Sequence, residues 1–369
     1  MKRTHEYFMN LAMKLALRAK GLTSPNPLVG AVIVKNNKII SQGFHRKAGL
    51  PHAEIIALEK AGKEARGATL YVTLEPCVHY GRTPPCVDKI INSGVKKVIV
   101  GMIDPNPENF GKGIKMLKRH DIKVEVGFLE DKLKSMNEVF IKYITKKLPF
   151  VIVKVGQSLD GKIATYRSDS RWITEESARE YSNRIRGDFD AIMVGVNTIL
   201  RDNPHLDALD SIRQPIKVVV DSQLSTPVEA NIFKGDGKVI IATLATGKGQ
   251  ETENRNILAK KATILDIKEK NGQVNLKDLM KKIASLETTS ILVEGGGSLV
   301  GSLFDEALVD KVLFFIAPKI IGGRNAISSV MGKGVGRIDE AIKLERVNLK
   351  RIGSDFLIEG NVSYPCLRE

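Results

Sequence analysis

One histidine, one glutamate and two cysteines hold the densest chemistry in this sequence of 369 residues. His52 and Glu54 open the stretch PHAEIIALEK, and Cys77 and Cys86 lie in LEPCVHYGRTPPC with eight residues between them. One imidazole and two thiolates make three zinc ligands and leave a fourth position for water, which is the layout of a catalytic centre and not of a closed structural one. Zinc lowers the pKa of its bound water to roughly 7, and such a hydroxide attacks an amidine-like carbon of an aminated ring. The departing ammonia and the ring nitrogen need protons, which a carboxylic acid beside the water, off the metal, collects and returns. Glu54 fits that role. A lone histidine is usually an ordinary surface or core residue, and His-x-Glu alone is common; the downstream Pro-Cys and second cysteine make the set specific.

The elements around these residues must bring them together. Residues 1 to about 145 alternate helix and strand: a helix over MKRTHEYFMNLAMKLALRAKG, a hairpin turning at Asn36-Asn37, a helix from Ala53, a strand ATLYVTLE, a helix from Cys86, a strand KKVIVGM, a helix GIKMLKRHD and a strand KVEVGF. Alternation of this kind predicts an α/β layer sandwich. Positions i and i+2 of a regular helix point apart, so His52 and Glu54 can share a site only if they sit at the irregular helix entry that Pro51 suggests. KKLPF, Lys146 to Phe150, reads as a boundary and gives domains over 1–146 and 150–369.

The second stretch holds weaker signals. Strands are expected at FVIVKVGQS, AIMVGV, IKVVVDS, VIIAT, SILVEGG and DKVLFFIAP, with helices at about 175–187 and 275–286. Thr174 and Ser177, with Glu175 and Glu176, resemble a helix N-cap region. AIMVGVNTILRDNPHL reads as a strand running into a polar turn, and Gly247 to Asn256 as the most loop-like run. ILVEGGGSLVGSLF is strand, glycine turn and helix, a place where backbone N–H groups meet phosphate. It is not the G-x-G-x-x-G fingerprint, so a Rossmann domain is disfavoured.

Bulk properties set limits. Hydrophobic content of 43% and charged content of 27% are those of an ordinary globular chain with two cores. No apolar run is long enough to span a bilayer, and the basic, helix-periodic N-terminus reads as a domain helix and not as a signal peptide. Three cysteines without an export signal suit a reducing cytoplasm. The net charge of +15 admits nucleic acid or a phosphorylated small molecule as partner. With aromatics at 5% and most lysines on solvated helix faces, a lysine-rich surface is the better reading.

His-x-Glu followed by Pro-Cys and a second cysteine is the zinc nucleobase-deaminase signature, whose usual cysteine spacing is two residues. With eight, and with SPNPLVGAVIV, HAE, TLEPCVHYGRTPPC and DPNP, the chain resembles the bifunctional riboflavin-biosynthesis deaminase–reductase family along nearly its whole length. The resemblance implies a cytidine-deaminase-like three-layer α/β/α domain followed by a dihydrofolate-reductase-like α/β domain. It implies zinc on His52, Cys77 and Cys86, Glu54 as proton shuttle, and Asn26, His45, His79, Arg82 and Thr83 around a phosphorylated pyrimidine. In the second domain it implies NADPH against Gly156, Trp172, Thr198, Asp202 and the run Gly296, Gly297, Ser298, Leu299, Val300, Gly301 and Ser302. Substrate would meet Lys154, Ser170, Arg186, Leu206 and Glu294, with Asp202 or Lys154 as the proton donor. The implied reactions are hydrolytic deamination of a diaminopyrimidinone ribosyl phosphate, then reduction of its ribose to a ribityl chain. A homo-oligomer without nucleic acid or membrane is expected. The sequence departs from the family after NPHL, where the usual continuation is threonine, any residue, then arginine; Leu209 stands in the arginine's place and the loop is shorter, with Arg213 and Arg201 as the candidate substitutes. A tRNA or nucleoside deaminase fused to a pterin-type reductase is the alternative, against which the long cysteine loop argues. An RNA-binding protein on a relict deaminase fold would be expected to have lost a ligand or Glu54.

Overall fold

A computed structural model describes residues 3–80, 84–245 and 253–365. The chain divides into two compact units, Met1–Leu148 and Pro149–Glu369. Among the described residues no helix is long and apolar enough to cross a membrane.

The first unit runs α1 (His5–Ala16), β1 (Gly30–Lys35), β2 (Lys38–Phe44), α2 (Ala53–Ala61), β3 (Thr69–Leu74), α3 (Cys86–Asn92), β4 (Lys97–Met102), α4 (Lys112–Arg119), β5 (Lys123–Val126), α5 (Glu130–Met136) and α6 (Glu138–Lys146). Its sheet has the order β2-β1-β3-β4-β5. β1 is antiparallel to β2 and β3, and β3, β4 and β5 are parallel. The expected hairpin is present, with Asn36 and Asn37 at φ 53° and 62°, the left-handed pair that a two-residue turn requires. Two glycines show how closely the layers pack. A Cβ on Gly30 would stand 1.9 Å from the Ala12 carbonyl of α1, and one on Gly43 2.3 Å from the Ala53 carbonyl of α2. Gly43 pairs with Ala31, the neighbour of Gly30. Successive strand residues face opposite ways, so α1 and α2 cover opposite faces and the unit has three layers. The helices α5 and α6 were not expected. The Asn137 amide between them closes both hydrogen bonds with the Leu28 backbone, accepting at 2.8 Å and donating at 3.1 Å, and so anchors the Asn26-containing loop.

The second unit runs β6 (Phe150–Ser158), β7 (Lys162–Ala164), α7 (Glu176–Ile185), β8 (Ala191–Gly195), α8 (Val196–Asp202), β9 (Ile216–Val220), β10 (Val239–Leu244), α9 (Glu253–Ala259), β11 (Thr263–Ile267), β12 (Glu269–Lys270), β13 (Gln273–Val274), α10 (Leu276–Ser285), β14 (Ser290–Val293), α11 (Gly297–Asp305), β15 (Lys311–Ala317), β16 (Ile327–Ser328), β17 (Lys343–Ile352) and β18 (Asp355–Ser363). Nine strands form one sheet in the order β11-β10-β9-β8-β14-β6-β15-β18-β17. It is parallel from β11 to β15 and ends in the antiparallel hairpin β17–β18. Buried on both faces, the parallel strands read as continuous apolar runs such as AIMVG and VIIATL. Three readings are corrected. The polar turn after AIMVG begins as the helix α8. The helix after Thr174 starts at Glu176 without a side-chain cap; instead the Glu175 N–H donates to Asp355 at 2.8 Å. Within the loop expected over 247–256, residues from Glu253 are helical, and 247–252 lie outside the described residues.

Candidate functional sites

His52 is the extended N-cap of α2, with φ −71° and ψ 163°, and Glu54 lies in the first turn. The irregular entry that the i, i+2 pair demands is therefore present. Cys86 is the first residue of α3, and Cys77 follows the end of β3. Two helix N-termini thus meet at the cysteines, where their dipoles favour thiolates. His52 Nδ1 lies 3.1 Å from Cys86 Sγ and 3.6 Å from Cys77 Sγ, and the three donor atoms fall within 4.8 Å of one another. A tetrahedral ion with bonds of roughly 2.0–2.3 Å needs ligand separations of about 3.3–3.8 Å. The triangle fits zinc in donor type and in size.

The electrostatics agree. Hydrogen bonding from the Cys86 thiol, and then from His52, pulls the Cys77 thiol down to about 4 against the effect of burial. The same contact, with burial, pushes Cys86 up. Glu54 is 3% exposed, its Oε2 has no hydrogen-bond partner among the described residues, and burial raises its pKa to about 7. His45 is held neutral. Burial is the main cause of its lowered pKa, its Nδ1 faces the Pro51 carbonyl at 3.3 Å, and the Asn26 amide donates to its Nε2 at 3.0 Å. His79 carries a buried Nδ1 with no partner among the described residues. The structure therefore brings Asn26 and His45 together beside His52, whose ring meets that of His45 edge-on at 5.2 Å. Arg82 and Thr83 lie outside the described residues.

Behind the cysteines stands a network that the sequence reading missed. Glu75 is 3% exposed and accepts from the N–H groups of Asp104, Gly111 and Ile114 at 3.1, 3.0 and 3.2 Å. Asn109 donates to Asp104 at 3.0 Å and accepts from the Val78 N–H at 3.0 Å. These contacts fix the Pro76-Cys77 turn against the DPNP segment. The available signal was a charged residue at the end of an apolar strand.

In the second unit a cleft of about 1210 Å³ opens where β8, β9 and β14 end, the usual ligand position in a parallel sheet. Thr198, Gly296, Gly297, Ser298, Leu299 and Ser302 line it, and the first turn of α11 lacks a side-chain cap. Of the rest of that run, Val300 is fully buried, and Gly301 is packed against the Met331 carbonyl. Gly156 packs against Thr174. Trp172 is exposed, with the Arg179 guanidinium 4.2 Å from its ring centroid. Asp202 ends α8, exposed, and its carbonyl accepts from Arg171 at 3.0 Å. Ser170 is half-buried within the exposed segment before Trp172.

The expected substrate residues meet one another. Arg186 grips both oxygens of Glu294 at 2.8 and 2.9 Å, and Lys154 reaches Glu294 at 3.2 Å. Burial alone would raise Glu294, but Lys154 and Arg186 outweigh it and hold the carboxyl at about 2. Leu206 is 3% exposed with φ 61°, so its side chain is buried. Of the candidate substitutes for the missing arginine, Arg213 is tied to Asp190 at 2.8 Å, whereas Arg201 lines the cleft.

Residues 2–102 match the family model of the cytidine and deoxycytidylate deaminase zinc-binding region, and residues 149–358 match that of the RibD C-terminal domain. The chain is 41% identical to the riboflavin biosynthesis protein RibD of Aquifex aeolicus, across 95% of this chain and 96% of that protein. It is 37% identical to the Escherichia coli protein of the same name, across 95% and 97%. Among solved structures, Acinetobacter baumannii RibD superposes with a TM-score of 0.86 at 32% identity, covering 97% of this chain and 98% of that one. A Thermotoga maritima diaminohydroxyphosphoribosylaminopyrimidine deaminase/5-amino-6-(5-phosphoribosylamino)uracil reductase does so with 0.84 at 36%, covering 98% of each.

Proposed function

The chain belongs to the RibD family of bifunctional riboflavin-biosynthesis enzymes, and from that premise we propose how its residues divide the work. Met1–Leu148 deaminates the diaminopyrimidinone ribosyl phosphate, and Pro149–Glu369 reduces the ribose of the product with NADPH. The observation that carries the reading is Glu54: a buried carboxyl with an unpartnered oxygen, two residues from one corner of a His/Cys/Cys triangle.

His52, Cys77 and Cys86 hold the zinc, which when bound activates water at neutral pH. Glu54, uncharged or charged with nearly equal ease at about pH 7, accepts a proton and returns it to the leaving nitrogen. Neutral His45 orients the Asn26 amide, which can then offer its carbonyl oxygen to the ring's exocyclic amine. His79 and Arg82 serve the remaining polar groups and the phosphate, with Thr83 beside them. In the second unit the cleft lined by Thr198, Gly296, Gly297 and Ser298 would hold NADPH, which when bound would supply the hydride. Lys154, held by Glu294, donates the proton that opens the ribose, and Arg186 fixes the substrate's anionic end. Asp202 stands on the cofactor side, next to the cleft-lining Arg201.

Several supports are coarser. The exposed edge strand β17 shows Leu344, Val347 and Leu349 to solvent, a surface suited to a second copy of the chain; a monomer by sedimentation at micromolar concentration would sink the expected homo-oligomer. Cys77 and Cys86 are free thiols, which suits the cytoplasm. A small phosphorylated substrate and no nucleic acid or membrane remain our reading of the partners.

The function is tested by following ammonia release and NADPH oxidation separately in zinc-replete protein given the diaminopyrimidinone phosphate. Both signals are expected, in that order. Absence of ammonia would overturn the first assignment, and ammonia without NADPH oxidation the second.

A further inference from the structure

The reaction sequence above leaves one buried cation unused. Lys217 is the second residue of β9 and has no exposed surface. Its Nζ lies 2.6 Å from Asp207 Oδ1, and it donates to the Ile232 carbonyl at 3.3 Å. A buried ammonium survives only with such a counter-charge. The space for it is built in. A Cβ on Gly235 would stand 2.4 Å from Asp207 Oδ1, although the backbone there, at φ −108°, suits any residue.

We propose that the Lys217–Asp207 pair positions Arg186, and through it the part of the reductase site that receives the substrate's phosphate. The link is direct: the Asp207 carbonyl accepts from Arg186 Nη1 at 2.9 Å. From there the charges alternate through Glu294 to Lys154. Asp207 is locked from several sides. Leu206 before it is buried and left-handed, and Ala208 after it exchanges two hydrogen bonds with the Gln214 amide at 2.8 and 3.0 Å. Three cations and two carboxylates leave one positive charge in excess. Because Lys217 is sealed in, that excess is offered at the accessible end, by Lys154 and Arg186, to an anion. The departure at Leu209 makes this task of Asp207 more pressing: holding the remaining arginine in place.

This inference rests on assigning reduction to the second unit, so the test separates the two. Lys217→Met, Asp207→Asn, the double variant and Gly235→Ala are made in the full chain. D-ribose 5-phosphate, the anionic half of the substrate, is titrated calorimetrically into NADP-loaded protein, and steady-state KM and kcat are measured beside it. Lys217→Met should weaken ribose-phosphate binding and raise substrate KM roughly tenfold, as expected of a small displacement of a binding group. NADPH affinity, kcat and deamination should stay within about twofold. Gly235→Ala, which displaces Asp207 with all charges retained, should do the same and covers the case in which Lys217→Met fails to fold. The double variant should recover stability, because no lone charge remains buried, yet keep the raised KM. Wild-type affinity in any soluble single variant, or in the double variant, would overturn the proposal and leave the pair as packing. A wild-type protein that binds ribose phosphate but never oxidises NADPH would instead overturn the reductase assignment.

Discussion

Glu54 and Glu294 are the same residue type and both buried, the first in the opening turn of α2 and the second just past the end of β14, and their surroundings push them in opposite directions. Glu54 has burial as its main influence, and rises to about 7. Glu294 is opposed by burial too, yet Lys154 and Arg186 take both its oxygens and bring it to about 2. The first is poised to exchange a proton near neutral pH; the second is a fixed charge that never does. The comparison teaches that in this chain the carboxyl beside the His/Cys/Cys triangle is left short of partners, while the one between Lys154 and Arg186 is saturated.

The largest expected effect comes from removing the proton carrier. Glu54→Gln keeps the side-chain shape, so zinc content should hold, while deamination falls by about 10²–10⁴. Reduction of supplied deaminated substrate should be untouched. Zinc loss in this variant would make Glu54 a ligand or fold residue and erase the contrast with Glu294.

Glu294→Gln should act on stability. It leaves Lys154 and Arg186 buried without their shared counter-charge, a loss of about 3–5 kcal/mol. The sign of the pH dependence follows from the lowered pKa. The carboxylate's contribution is complete above its unfolded value near 4.5 and disappears as pH falls toward about 2. Denaturant unfolding of wild type and variant should therefore differ by a constant amount above pH 5 and converge in acid. Curves separated equally at pH 3 and pH 7 would mean that Glu294 is not held ionised by its partners.

The legibility of the two sites differed for a physical reason. His52, Glu54, Cys77 and Cys86 declared themselves because metal chemistry accepts few residue types and the helix entry fixes their spacing. The ion network of Lys154, Arg186 and Glu294 comes from β6, the end of α7 and the end of β14, and only the family resemblance joined them. Lys217 gave no signal, since IKVVV reads as a strand whichever way its lysine points. The burial of Val300 was not legible either, because a strand–glycine–helix pattern does not say which face of α11 looks inward. The hairpin β17–β18 was missed because KLERVNLKRI is a charged edge strand, exposed along nearly its whole length, and edges are where charge hides strand character. Helices α5 and α6 went unseen for want of caps: Leu129 and Asn137 at their starts make no side-chain cap hydrogen bond.

The smallest effect sharpens the comparison most. Leu209 stands where the family pattern places an arginine, is 43% exposed, and is held through its backbone N–H, which donates to the Asn183 carbonyl at 3.2 Å. Replacing an exposed side chain in a segment pinned by its backbone should change stability by no more than about 0.5 kcal/mol. Leu209→Arg should nevertheless lower the reductase KM by roughly three- to tenfold, the gain of one partly solvated guanidinium–phosphate contact. Two controls make the attribution specific. The gain should shrink as salt rises from 0.05 to about 0.5 M, since an exposed charge is screened, and it should vanish with the dephosphorylated substrate. A lower KM that persists without the phosphate would show that position 209 acts on the loop and not on the anion. An unchanged KM would mean that Arg186, Lys154 and their buried supports already satisfy the phosphate, so that the saturated site has no use for another cation.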